Sequence, residues 1–183
     1  MTNLDPQIRF GIHVHAMEPA LANSDEVRTV FSGFPAAVVA ICALVDGHPR
    51  GLVASSLSIG TSYEPPMTLF SVKNDSSTWP ALRSAKRVGI SVLAEEQSQL
   101  CRQMSSKTGN RFADVLTTTT EYGSLFLGGA TTWMDCEIVY EWPTGDHTVV
   151  VFKIHSVGHV RGAPPLIFQN GSFPRLNNRT GGK

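Results

Sequence analysis

The run Gly51, Leu52, Val53, Ala54, Ser55, Ser56, Leu57, Ser58 places small and hydroxyl-bearing residues side by side. A flat ligand can approach such a backbone closely and find hydrogen-bonding groups along it; a plain strand-to-loop transition has the same composition. Asn74, Asp75, Ser76, Ser77 and Thr78 leave a predicted strand and enter a predicted helix. Hydroxyls and free N–H groups gathered there suit a phosphate, and they serve simple helix capping equally well. Lys107, Asn110, Arg111 and Phe112 follow a second predicted helix in a polar loop. A cation at that point can complete an anion site or stand in solvent. His147 lies beside Asp146 in a turn, where an imidazole can meet a substrate that comes and goes, or be an exposed histidine without a role.

Other chemistries lack their basic requirement. The chain has no Gly-x-Gly-x-x-Gly after a strand, no Gly-x-x-x-x-Gly-Lys-Ser/Thr and no Cys-x-x-Cys pair. His13 and His15 lie in an N-terminal arm with no further ligand nearby, so no metal site is expected. Lysine and arginine total 15 and aspartate and glutamate 15, so no global field draws in nucleic acid or an anionic membrane, and any anion must be held locally. Cys42, Cys101 and Cys136 are an odd number at wide spacings, which points to buried thiols in a reducing compartment. The first residues lack a basic stretch followed by an apolar one, and no run approaches the roughly 18 apolar residues of a membrane span. A cytoplasmic protein is expected.

These residues must be positioned by one domain. At 183 residues with 42% hydrophobic content the chain can bury a core without disulfides or metal. A flexible arm is expected over residues 1–23, the domain over 24–176 and a flexible Gly-rich tail over 177–183. Ser24 can cap a helix through Phe31, with Asp25 and Glu26 in its first turn and Gly33 stopping it. Residues 36–45 form an apolar run that Asp46-Gly47 turns into a hairpin with 50–55. Strands are also predicted over 67–72, 87–93, 132–142 and 148–160. Helices are predicted over 77–85, capped by Ser77, and over 95–105. The turn Gly145-Asp146-His147 links two long strands that should pair antiparallel, and a closed or nearly closed barrel would hide the strand edges.

Taken in order, these segments resemble the flavin reductase-like family of FMN-binding split barrels, which includes the small components of two-component monooxygenases. The resemblance rests on FPAAVVAI from Phe34, the Asp46-Gly47 turn, GLVASSLS from Gly51 and EPPMTLFSV from Glu64. It continues through Ser76-Ser77-Thr78, GISVLAEEQ from Gly89, Arg111-Phe112, Asp135-Cys136-Glu137, the GDH at Gly145 and PLIFQNGSF from Pro165. Two positions depart from the family pattern: Ala36-Ala37 stands where Thr-Gly is usual, and Ser91 where Asn is frequent.

The resemblance implies a mainly β fold with short helices, an antiparallel FMN-binding split β-barrel. It implies that Ala54, Ser55, Ser56 and Ser58 run along the flavin ring and ribityl chain, and that Ser76, Ser77, Thr78 and Arg111 grip its phosphate. Ser91 would lie near the dimethylbenzene or ribityl side. His147 would act in catalysis and, with Phe168, hold the nicotinamide. The implied activity is NAD(P)H-dependent reduction of FMN, or of FAD, by a homodimer that supplies a transient oxygenase partner. A flavin-binding protein without reductase activity, or an oxidase of the same fold, stays open as the alternative. The absence of an arginine cluster assignable to a 2′-phosphate favours NADH over NADPH.

Overall fold

Asp46 and Gly47 both take positive φ, 51° and 75°, so the chain reverses in two residues. β2 (Val39–Val45) therefore pairs antiparallel with β3 (His48–Ala54), in register from Val39 opposite Ala54 to Val45 opposite His48. The computed structural model describes residues 24–176. The predicted arm and tail, with His13 and His15, lie outside the described residues, as does the Ser24 side chain and hence its expected cap.

Seven strands form the main sheet, in the order β3-β2-β6-β9-β10-β5-β4. The remaining members are β4 (Ser58–Tyr63), β5 (Pro66–Lys73), β6 (Val88–Val92), β9 (Thr132–Thr144) and β10 (His147–His159). All its pairings are antiparallel. Two short pairs complete the fold: β1 (Ala36–Ala37) with β11 (Ile167–Phe168), and β7 (Thr117–Thr119) with β8 (Leu125–Leu127). The helices are α1 (Ser24–Ser32), α2 (Trp79–Arg83) and α3 (Ser98–Ser105), the last entered through a single 3₁₀ turn, Glu95–Gln97.

β2 reads as a continuous apolar run because both its faces are covered. Val39, Ile41 and Ala43 face a cluster with Phe70, Trp79, Ile90 and Phe152, while Ala40 and Cys42 face another with Leu93, Met104, Leu125 and Leu166. In the first cluster Phe70 stacks on Phe152 at 5.5 Å and meets Trp79 edge-on at 5.2 Å. Beside it, buried Asp135 accepts from Arg87 at 2.7 Å and from the Ser124 hydroxyl, so the one buried carboxylate among the described residues is satisfied from both sides.

The sheet is split rather than fully closed, with β3 and β4 as its edges, as expected of a split barrel. Two expectations need correction. The helix expected over 77–85 is only Trp79–Arg83, and Thr78 rather than Ser77 stands at its N-cap, while Ser76 Oγ accepts from the Trp79 N–H at 3.2 Å. Pro80 sits in the first turn, where its missing N–H leaves no intrahelical bond unmade. The helix expected over 95–105 is α only from Ser98. β4 was not anticipated, since an edge strand exposed along most of its length needs no apolar pattern, and SIGTSY has none.

Candidate active site

The two sheet edges are neighbours in the chain, joined by residues 55–57, so the segment Ala54 to Ser58 crosses the split. Ser56 fixes that crossing by donating to the Ser71 carbonyl on β5 at 3.0 Å. Against it opens a cavity of about 800 Å³, a size suited to a cofactor.

One end of the cavity is built for an anion. Arg111 donates from Nε to the Ser106 carbonyl at 2.8 Å, and from Nη1 to the Gly51 carbonyl and to Thr78 Oγ1, both at 2.9 Å. Those bonds hold the guanidinium plane and leave Nη2 without a protein acceptor among the described residues. Gly51 makes this possible: a Cβ there would stand 2.6 Å from Cys42 Sγ and 2.9 Å from the Met104 and Phe112 side chains. Without one, α3 and the Arg111-Phe112 loop close onto β3. Ser76, Ser77, Thr78 and Lys107 line the same end.

His147 lines the same cavity and begins β10, opposite Lys73 on β5 and Thr144 on β9. Its Nδ1 lies 2.7 Å from Asp146 Oδ1, a contact that holds the Asp146 carboxyl below the ordinary carboxylate range. The turn is tied down by Asn74, whose Nδ2 donates to the Gly145 carbonyl at 3.2 Å and whose Oδ1 accepts from the Thr148 hydroxyl at 2.9 Å. The Asn74 N–H also donates to the Asp146 carbonyl at 3.1 Å.

A second cavity of about 510 Å³ adjoins the first, sharing Val53, Ala54, Ser55 and Ser105 as a common wall. Phe168 lines it, set there by the pairing of Ala36 with Phe168 and packed against Phe173 at 5.6 Å. Burial pushes the thiols of Cys42, Cys101 and Cys136 up, so none is a thiolate near neutral pH.

Eight of the expected site residues thus meet in one cavity: Ala54, Ser55, Ser56, Ser76, Ser77, Thr78, Arg111 and His147. Phe168 belongs to its neighbour across the shared wall. Two residues are not brought there. Ser91 is fully buried, its Oγ accepting from the Leu127 N–H at 3.0 Å, so its hydroxyl braces β6 against β8. Ser58 lies on β4 outside both cavities, with its carbonyl accepting from the Thr68 hydroxyl. Lys73 went unnoticed in the sequence, and Asn74 was read only with the loop that enters the helix. Both are ordinary polar residues at a strand end, and their partners lie some seventy positions later in the chain.

The donor set fits a phosphorylated planar group: a small-residue wall, hydroxyls, a guanidinium with a spare edge and an imidazole in one cavity. Residues 31–177 match the family model described as "Flavin reductase like domain", and the chain belongs to that family. It is 32% identical over 146 residues to the flavin-dependent monooxygenase reductase subunit HsaB of Rhodococcus jostii, covering 80% of this chain and 74% of that one. It is 27% identical over 165 residues to the FMN reductase (NADH) SmoA of Agrobacterium fabrum, covering 90% and 93%. Among solved structures it superposes on the NADH:FAD oxidoreductase SgcE6 of Streptomyces globisporus, in complex with NAD and FAD fragments, with a TM-score of 0.83. At 23% identity, covering 91% of this chain and 100% of that one, this likeness establishes the split-barrel fold.

Proposed function

We propose that this chain is an NAD(P)H:flavin oxidoreductase that reduces FMN, with FAD as the alternative flavin, and delivers it to a separate monooxygenase. The observation that carries the reading is the single cavity joining the Ser76, Ser77, Thr78 and Arg111 cradle to His147 past the wall of Ala54, Ser55 and Ser56. Bound there, the flavin supplies a hydride acceptor: a hydride from the nicotinamide and a proton from water give reduced flavin and the oxidised nicotinamide.

The protein's part is placement. Arg111 and the three hydroxyl residues hold the phosphate, and the backbone of residues 54–56 lies along the ring. His147, oriented by Asp146, receives the nicotinamide, with Phe168 closing the far side. Holding two rings in contact at a fixed angle is the main source of rate in such a transfer.

Several features favour the wider setting. Ile59 and Tyr63 on β4 are 62% and 88% exposed, and Tyr140 and Trp142 on β9 stack at 5.2 Å on the surface. Apolar area of that kind suits a homodimer in which the second subunit covers the open split. The HsaB relative, a reductase subunit of a monooxygenase, supports an oxygenase partner. Three free buried thiols suit the cytoplasm, and among the described residues no helix is long and apolar enough to cross a membrane.

The test is oxidation of NADH and of NADPH by purified protein with FMN, FAD or riboflavin in turn. Saturable turnover with one donor is expected. A tightly held flavin with no nicotinamide oxidation would point instead to a flavin carrier or an oxidase.

A further inference from the structure

Three cations line the larger cavity, and they differ in standing. Arg111 is held by two carbonyls and Thr78. Lys107 sits beside it in the loop after α3. Lys73, the last residue of β5, accepts from the Ser76 N–H through its carbonyl and forms no ion pair among the described residues. In the β5–β10 register Lys73 stands directly opposite His147. Residues directly opposite in an antiparallel pair project from the same face, so the ammonium and the imidazole leave the sheet together. The Lys73 charge also helps to lower the Asp146 carboxyl, consistent with its place beside that turn.

One phosphate is already provided for by Arg111, Ser76, Ser77 and Thr78. A second cation, solvated and unpaired, standing next to the imidazole assigned to the nicotinamide, answers to a second anion that arrives with that ring. We propose that Lys73 is a donor-binding residue, its ammonium taking a phosphoryl oxygen of the pyrophosphate in the nicotinamide dinucleotide. This rests on the reductase reading and names what holds the non-reacting half of the donor. NADH and NADPH share the pyrophosphate, so Lys73 strengthens both without choosing between them. A lysine suits the task because it acts as a mobile point charge on a ligand that must leave after each turnover.

The experiment compares the wild type, Lys73→Met and Lys73→Arg with two donors, NADH and 1-benzyl-1,4-dihydronicotinamide, which carries the reactive ring and no phosphate. Lys73→Met is expected to raise the NADH KM roughly tenfold with kcat little changed, the value of one charge-assisted contact to a partly solvated phosphate. Lys73→Arg restores most of the loss. The KM for the phosphate-free donor stays where it is, and so do the Kd of FMN and of FAD. The NADH KM of Lys73→Met also responds less to added salt than that of the wild type. An unchanged NADH KM overturns the assignment, as does an equal loss with the phosphate-free donor. Weakened FMN or FAD binding in place of weakened NADH binding gives the charge to the flavin and overturns it too. Absence of turnover with either donor in the wild type overturns the reductase reading beneath it, a result read before any variant is made.

Discussion

The Thr148 hydroxyl donates to the Asn74 carboxamide oxygen at 2.9 Å, tying the turn that presents His147 to the loop that carries Ser76, Ser77 and Thr78. With the Asn74 Nδ2 bond to the Gly145 carbonyl, one side chain fixes the His147 turn against that loop. Asn74→Ala removes both contacts from an exposed site, at about 1 kcal/mol of stability. Its larger effect is expected on the donor: a several-fold rise in the NADH KM, read by steady-state kinetics. An unchanged KM would mean that the strand pairing alone holds the turn.

Arg111 offers a cleaner contrast between ligands. Arg111→Lys keeps a charge but loses the planar fork that binds the Ser106 and Gly51 carbonyls and Thr78 together. FMN affinity should fall by roughly ten- to a hundredfold, the range of a lost hydrogen bond to a charged group. Riboflavin, which has no phosphate, should bind the variant almost as it binds the wild type. Isothermal titration with both ligands decides the matter, and equal losses would place Arg111 against the ring instead.

His147→Ala should raise the nicotinamide KM or slow hydride transfer and leave flavin affinity nearly intact, as stopped-flow reduction under anaerobic conditions would show. Loss of flavin binding with unchanged hydride transfer would refute that role.

Asp146 predicts a pH response. Its carboxyl is held low chiefly by the hydrogen bond with His147. A group whose folded pKa lies below its unfolded one keeps its contact above the unfolded value, near pH 4, and loses it only as pH falls through the lower folded value. The Asp146–His147 contact should therefore survive mild acid. Carbon-detected NMR of the Asp146 carboxyl should give a midpoint below the ordinary range, moving up in His147→Ala; identical midpoints would exclude the coupling.

Ser91→Ala tests a structural role. The Leu127 N–H would lose its buried acceptor, at about 1 to 3 kcal/mol. A lower melting temperature with unchanged flavin affinity is expected, and the reverse pattern would return Ser91 to the flavin site.

Much of this protein follows from local chemistry. Asp46-Gly47 specifies its own hairpin because both residues tolerate positive φ, and the strands on either side of Gly145-Asp146 pair because two residues cannot carry the chain anywhere else. The order of short motifs from Phe34 to Phe173 places the chain in its family, and with it the cradle of Ser76, Ser77, Thr78 and Arg111. Ser77 was misjudged as the cap because Thr78 carries the same kind of hydroxyl, and only the helix start at Trp79 puts Thr78 at the N-cap.

What tertiary structure decided is which side chains share a space. Ser91 alternates along β6 like any strand residue, and whether its face meets a ligand or a buried N–H depends on β8, which arrives more than thirty positions later. The partnership of Lys73 with His147 is a matter of register between β5 and β10, strands separated by four other strands and by α2 and α3. Hydrogen-bond capacity and turn preference are properties of a residue and its neighbours, and the amino-acid sequence carries them directly. Proximity across a sheet is a property of how the strands pair, and it exists only once the chain has folded.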